Sequence, residues 1–226
     1  MTTADPTPTP ASGPAPAARD RLALVLDVDD LDAAVVLARR LAPWFAVAKI
    51  GLELYAAAGP AAVGRLREEG YDVFLDVKLH DIPTQVGRAG RVLGRLGVAY
   101  LTLHTSGGEA MVRAGVDGLV EGAAAAGVPA PTALGVTVLT SDAAAPEAVL
   151  LDRIAVARAG GCGGVVCATS DLPVVRRAAP ALRPIVPGIR LAGSDTHDQG
   201  RPSTPGAAIT AGASLLVIGR TVTHAT

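Results

Sequence analysis

Apolar and polar positions alternate along this chain in blocks. Short β-branched or Leu-rich runs occupy residues 22–28 (LALVLDV), 47–51 (VAKIG), 72–77 (DVFLDV), 99–104 (AYLTLH), 133–139 (ALGVTVL), 164–168 (GVVCA), 183–188 (RPIVPG) and 214–219 (SLLVIG). Nearly continuous apolar runs of this length are typical of strands covered on both faces. Between them lie Ala-, Arg- and Glu-rich stretches with helical spacing, such as 31–42 (LDAAVVLARRLA), 61–70 (AAVGRLREEG) and 86–97 (VGRAGRVLGRLG). Eight such runs alternating with helices predict parallel βαβ units. An open doubly wound sheet is the competing layout, but it usually carries a glycine-rich turn directly after its first strand. Here the first run leads into Asp27, Val28, Asp29 and Asp30 with no glycine, so the pattern favours a closed (β/α)8 TIM barrel. Seven crossover helices can be placed. Only seven residues follow Gly219, so the final helix is expected to be short or missing, leaving the first and last strands thinly covered.

Residues 1–18 are mostly Pro, Ala, Thr and Ser, with little to bury, and are expected to form a disordered tail. Residues 19–226 keep one texture without an internal linker and are read as a single barrel domain. Half of the chain is hydrophobic but only 3% is aromatic, so the core must be built from Ala, Val and Leu. A net charge of −1 with no basic stripe argues against a nucleic-acid partner. The N-terminus lacks the apolar segment of a secretory signal. No apolar run reaches the roughly 18 residues that a membrane-crossing helix needs. Cys162 and Cys167 cannot build a disulfide framework and have no His at a metal-ligand spacing. They read as buried small residues of a reducing compartment, and a cytoplasmic location is expected.

Polar residues collect at the C-terminal ends of the runs. They are Asp27, Lys49, Asp76 with Lys78, His104, Thr140 with Ser141, and Arg220, with Arg190 and Gln199 following the seventh run. In a barrel these ends converge on one mouth, where active sites of this fold sit. The opposite ends show no comparable set, which points to an enzyme. The densest segment is Asp76-Val77-Lys78-Leu79-His80-Asp81-Ile82-Pro83. Taken alone, it could be a solvated ion cluster at a strand end. Asp27 and Lys49 at neighbouring strand ends change that, because alternating charges in a partly dry mouth are costly unless each is paired.

A second constellation lies near the C-terminus. Pro187-Gly188-Ile189-Arg190 leaves the seventh run, a polar loop follows from Leu191 to Arg201, and Ser203-Thr204-Pro205 opens a helix. Phosphate sites in barrels commonly form from the loops after strands seven and eight and a helix N-terminus. Arg220 offers a guanidinium fork for phosphate oxygens, Gly219 lets the backbone approach, and the loop suits a lid. An ordinary surface loop with a stray Arg is the bland alternative. His104 reads as a hydrogen-bonded structural residue, Trp44 as packing, His197 as solvated, and Gly161-Cys162-Gly163-Gly164 as a turn.

These residues resemble the orotidine 5′-phosphate decarboxylase family. The segment from Asp76 to Pro83 looks like its DxKxxDIP signature. LALVLDVDD, AKIGLEL, LTLHTSGG, VTVLTS, PGIR, the run from Asp198 to Arg201 with Thr204-Pro205, and VIGR are similar in order and spacing, over roughly residues 22–222. The resemblance implies a barrel that takes CO2 off orotidine 5′-phosphate to give UMP, with no metal and no cofactor. It makes Lys78 the acid that protonates the carbon left by CO2, and it puts Asp76 beside the departing carboxylate. Lys49 holds Asp27 and Asp76 and contacts the ribose, and Asp27 binds a ribose hydroxyl. Asp81 and Thr84 reach into a neighbouring subunit's site, which implies a homodimer with shared sites. Thr140 and Ser141 contact the pyrimidine edge, Gln199 bridges phosphate and base, and Arg190, Gly219 and Arg220 serve the phosphate. Two alternatives stand beside it: a metal-dependent sugar-phosphate decarboxylase or aldolase sharing the DxKxxD core, and a non-catalytic nucleotide-binding barrel.

Overall fold

Eight parallel strands close on themselves in sequence order in the computed structural model, which describes residues 16–141, 145–191 and 201–223. After a helical turn α1 (Pro16–Arg19), the order is β1 (Leu22–Leu26), α2 (Leu31–Leu41), β2 (Val47–Ile50), α3 (Leu52–Ala58), α4 (Pro60–Glu68), β3 (Asp72–Leu79), α5 (Pro83–Gly94) and β4 (Tyr100–His104). It continues with α6 (Gly108–Ala126), β5 (Thr132–Val136), α7 (Glu147–Ala159), β6 (Gly164–Val166), α8 (Leu172–Ala178), β7 (Arg183–Val186), α9 (Pro205–Ala211), β8 (Leu215–Ile218) and α10 (Arg220–Thr223). All eight expected strands are present, and the barrel closes through β1 and β8, with Ala23 opposite Val217. The final helix is short, at four residues among those described. Helical structure begins at Pro16, inside the stretch expected as tail, and the Arg19 guanidinium donates to the carbonyls of Ala42 and Phe45 at 3.2 Å each. Residues 1–15 lie outside the described residues.

Side chains alternate across each strand, so one set fills the barrel and the other meets the helices. The interior set is Ala23, Val25, Val47, Phe74, Leu134, Ile185, Leu215 and Val217. The outward set, including Leu24, Leu26, Ile50, Leu75 and Leu101, joins the helices in a larger core. Both faces are buried, which accounts for the unbroken apolar runs. The same period of two continues each interior row into the mouth: Val25 leads to Asp27, Val47 to Lys49, Phe74 to Asp76, and Tyr100 to Thr102. The apolar floor and the polar rim are successive positions of the same strands.

Helices α5 and α6, which follow β3 and β4, meet along a seam of glycines. A Cβ at Gly90 would lie 2.6 Å from the carbonyl oxygen of Gly115, and one at Gly118 would overlap the carbonyl oxygen of Gly87. The two backbones therefore touch directly, in the helices that follow β3, which carries Asp76 and Lys78, and β4, which carries Thr102. Asp30 caps α2 by accepting from the Ala33 amide at 2.7 Å, and Thr204 caps α9 ahead of Pro205. That is the helix start expected from Ser203-Thr204-Pro205.

Candidate active site

A pocket of about 570 Å³ opens at the C-terminal ends of the strands. One wall carries Asp27, Lys49, Asp76 and Lys78. Val136, Val138, Leu139 and Val166 form an apolar wall with Val25, Phe74 and Val217, and Pro187, Gly188, Arg190, Gly219 and Arg220 also line the pocket. Thr140 and Ser141 complete the lining.

The charged wall is a single alternating row. The Lys49 ammonium, buried at the end of β2, lies 3.4 Å from Asp27 Oδ1 and 3.5 Å from Asp76 Oδ2. Lys78 Nζ donates to both carboxylate oxygens of Asp76, at 3.0 Å each. Burial alone would push the Asp76 carboxyl up. The ammonium groups of Lys49 and Lys78 outweigh it, joined by hydrogen bonds from Lys78 and Thr102, and hold it below the usual carboxylate range. Asp76 is therefore an anion packed between two cations. Gly51 makes room for the row, since a Cβ there would sit 2.6 Å from Asp27 Oδ1 and 3.1 Å from Lys49 Nζ.

Lys78 has a backbone unlike its neighbours'. Its φ of 48° makes it the one non-glycine residue with positive φ among the described residues. Such a conformation is strained for a residue with a Cβ, and strain of this kind clusters at functional positions. The β3–β4 register shifts between Leu75 and Leu79, so Lys78 sits at an irregularity where regular ladder pairing is interrupted. Its amide instead donates to Thr102 Oγ1 at 2.9 Å, and the Thr102 hydroxyl donates to Asp76 Oδ1 at 3.0 Å.

The remaining expected residues divide into three groups. Arg190 is nearly buried, donates to the Ile189 carbonyl at 2.9 Å and lines the pocket, as do Thr140, Ser141, Gly219 and Arg220. Asp81 and Thr84 do not line it: both are exposed, Asp81 accepting from the Ile82 amide at 2.6 Å and Thr84 in the first turn of α5. Gln199 and His197 lie outside the described residues. His104 is also outside the pocket lining. Its ring stacks on His80 with centroids 5.4 Å apart, and its Nδ1 is hydrogen-bonded to Ser106 Oγ at 2.6 Å. Burial, with the nearby charges of His80, Arg153 and Lys78, keeps its imidazole below the ordinary histidine value.

Two features escaped the sequence. Thr102 is fully buried in a strand that reads as apolar. Arg201 pairs with the buried Asp171 at 2.6 Å and donates to the Leu139 carbonyl at 3.3 Å, tying the segment before α9 to the loops after β5 and β6. Among the described residues, no group of three or more His, Cys, Asp or Glu is arranged to hold a metal ion.

Comparison with known proteins gives a consistent picture. A family model described as the orotidine 5′-phosphate decarboxylase / HUMPS family matches residues 20–226. The chain is 44% identical over 219 residues to an orotidine 5′-phosphate decarboxylase of Moorella thermoacetica, covering 92% of this chain and 87% of that protein. It is 46% identical over 189 residues to one of Lactiplantibacillus plantarum, covering 78% and 80%. The crystal structure of an orotidine 5′-phosphate decarboxylase from Lactobacillus acidophilus superposes with a TM-score of 0.76 at 31% identity, covering 92% of this chain and 93% of that one.

Proposed function

The chain belongs to the orotidine 5′-phosphate decarboxylase / HUMPS family, and on that premise we infer that it decarboxylates orotidine 5′-phosphate to UMP, a step of pyrimidine biosynthesis. The observation that carries the reading is the alternating row of Asp27, Lys49, Asp76 and Lys78 along one wall of the pocket.

In this reaction the bond between C6 of the pyrimidine and its carboxylate breaks. The electron pair stays on C6, CO2 departs, and a proton takes its place. The carbanion has no adjacent electron sink, so it must be stabilised through space. The Lys78 ammonium is the group we assign to that task, and it then delivers its proton to C6, leaving a neutral amine for solvent to recharge. Asp76 beside the substrate carboxylate repels it and disfavours the bound ground state. Lys49 keeps Asp27 and Asp76 apart and in place, with Asp27 directed at a ribose hydroxyl. The apolar wall of Val136, Val138, Leu139 and Val166 suits uncharged CO2 better than the anion it came from.

Arg190, Gly219 and Arg220 are assigned to the phosphate, and Thr140 and Ser141 to the pyrimidine edge. Holding the phosphate supplies binding energy from a part of the substrate that does not react. Asp81 and Thr84, exposed beside an Ile82 that is 63% accessible, are assigned to the mouth of a second copy's pocket, so the active form is a homodimer. The protein is placed in the cytoplasm, in keeping with a biosynthetic role.

Following orotidylate absorbance with purified protein, with and without EDTA, tests the reading. The expected result is stoichiometric UMP at a rate that EDTA leaves unchanged. Inhibition by EDTA would transfer the site to the metal-dependent alternative, and UMP binding without CO2 release would make it a non-catalytic barrel.

A further inference from the structure

We infer that the hydroxyl of Thr102 is a positioning group for the Lys78–Asp76 pair, holding the proton donor and its carboxylate partner in one geometry. The inference rests on the decarboxylase reading above. The pair is held together from a single oxygen. Thr102 Oγ1 accepts the Lys78 amide at 2.9 Å, and its own proton goes to Asp76 Oδ1 at 3.0 Å. Thr102 does not line the pocket and is fully buried, so substrate does not touch it.

The need for such a group follows from the backbone. On a regular strand the Lys78 amide would be held by the neighbouring strand, but the β3–β4 register shifts between Leu75 and Leu79 and Lys78 takes φ 48°. A strained residue persists only where its surroundings over-determine it. Here a side chain supplies the acceptor. Without that acceptor, the unpaired amide and the backbone strain would both favour the return of Lys78 to extended backbone. That return would swing the ammonium away from Asp76. The same hydroxyl donates to Oδ1 and so favours the orientation of the carboxylate in which both oxygens face Lys78 Nζ. Valine at this position would have the same shape and neither hydrogen bond.

The test compares Thr102→Val, Thr102→Ser and Thr102→Ala for orotidylate turnover, UMP affinity and melting temperature. Thr102→Val is expected to lower kcat about 10- to 100-fold, the weight of losing one charge-assisted and one backbone hydrogen bond, with the UMP Kd within about threefold. Thr102→Ser is expected to stay within about threefold of the parent, and Thr102→Ala to fall with Thr102→Val. Serine and alanine differ only by the oxygen, so this pair decides the matter even if the valine variant does not fold. Parent-like kcat in Thr102→Val or Thr102→Ala overturns the inference. Equal losses in Thr102→Ser and Thr102→Ala, tracking melting temperature, overturn it in favour of packing. An inactive parent would remove the decarboxylase reading instead. The geometry is then judged without turnover: a Thr102→Val crystal structure that keeps Lys78 at positive φ and Nζ on both Asp76 oxygens overturns the inference, and one in which Lys78 relaxes supports it.

Discussion

Lys78 Nζ is equidistant from the two carboxylate oxygens of Asp76, two residues earlier on the same strand, at 3.0 Å from each. Symmetric placement of this kind belongs to a lysine held from both ends, by its carboxylate partner and by a backbone turned out of the extended range. Removing the side chain should separate its chemical role from its structural one. Lys78→Ala is expected to lose at least about four powers of ten in turnover, the combined weight of a positioned acid and an electrostatic stabiliser. UMP binding should stay close to that of the parent. Lys78→Gly should be equally inactive but about 1 kcal/mol more stable than Lys78→Ala, because glycine adopts positive φ without strain. Isothermal titration and denaturant unfolding of the two variants check both halves.

Lys49 sets the acid side of the pH profile. The folded-state value of Asp76 is depressed, so the stability it lends is present above the ordinary carboxylate range and is lost as pH falls through the folded value. Burial pulls the other way, and the Lys49 charge leads the influences that overcome it, followed by the charge and hydrogen bond of Lys78 and the hydrogen bond of Thr102. In Lys49→Met the Asp76 carboxyl should therefore titrate at higher pH. The acid limb of kcat/KM, and the pH at which melting temperature starts to fall, should both move upward. Profiles of parent and variant through the acidic range measure the shift, and an unmoved limb would mean that Asp76 is governed by Lys78 alone.

Gly51 is constrained by space rather than by conformation. Its φ of −85° suits any residue, but its missing Cβ is the volume next to Asp27 Oδ1. Gly51→Ala should displace the Asp27 carboxylate and raise KM about tenfold, with a smaller effect on kcat, since Asp27 is assigned to a part of the substrate that does not react. Steady-state kinetics at saturating and limiting orotidylate separate the two parameters.

Glycine-to-alanine changes in helices should split by location. Gly64 in α4 faces open space, so Gly64→Ala should raise stability by up to about 1 kcal/mol, the ordinary helix preference. Gly118 in α6 faces the Gly87 carbonyl, so Gly118→Ala should lower stability by about 1–3 kcal/mol through overpacking. Chemical denaturation of the two variants side by side checks the sign as well as the size.

Much of this was legible because the barrel imposes two simple periodicities. Strand positions two apart share a face, so Val25 and Asp27, Val47 and Lys49, and Phe74 and Asp76 announce an interior row ending in charge. Seven crossover helices and eight runs then leave few topologies. What stayed hidden depends on departures from those periods. Thr102 sits at the expected interior position after Tyr100, but one hydroxyl among apolar neighbours carries no signal of its partners. The left-handed Lys78 comes from a register shift between strands, which no single run encodes. The seam between α5 and α6 is built on their glycines, whose partners across the interface the helical spacing of either stretch does not specify. Gly59-Pro60, where the crossover splits into α3 and α4, is a break that both residue types signal. Asp81 and Thr84 lie away from the pocket in one chain, so their assignment depends on a second copy rather than on anything local.

The barrel is sealed by its first and last strands. Arg21 hands a hydrogen bond to the Ala213 carbonyl, 192 residues away, and β8 zips onto β1 beside it. Asp27 and Arg220 line the same pocket from the ends of these two paired strands, yet lie almost two hundred residues apart along the chain. During synthesis, the earliest strand must leave the ribosome with one edge unsatisfied and wait for nearly the whole chain to follow. No partial product can hold a nucleotide between those two residues. Binding competence should therefore arise late and all at once, and the long wait of an open edge is the stage at which this protein most needs protection from its own neighbours.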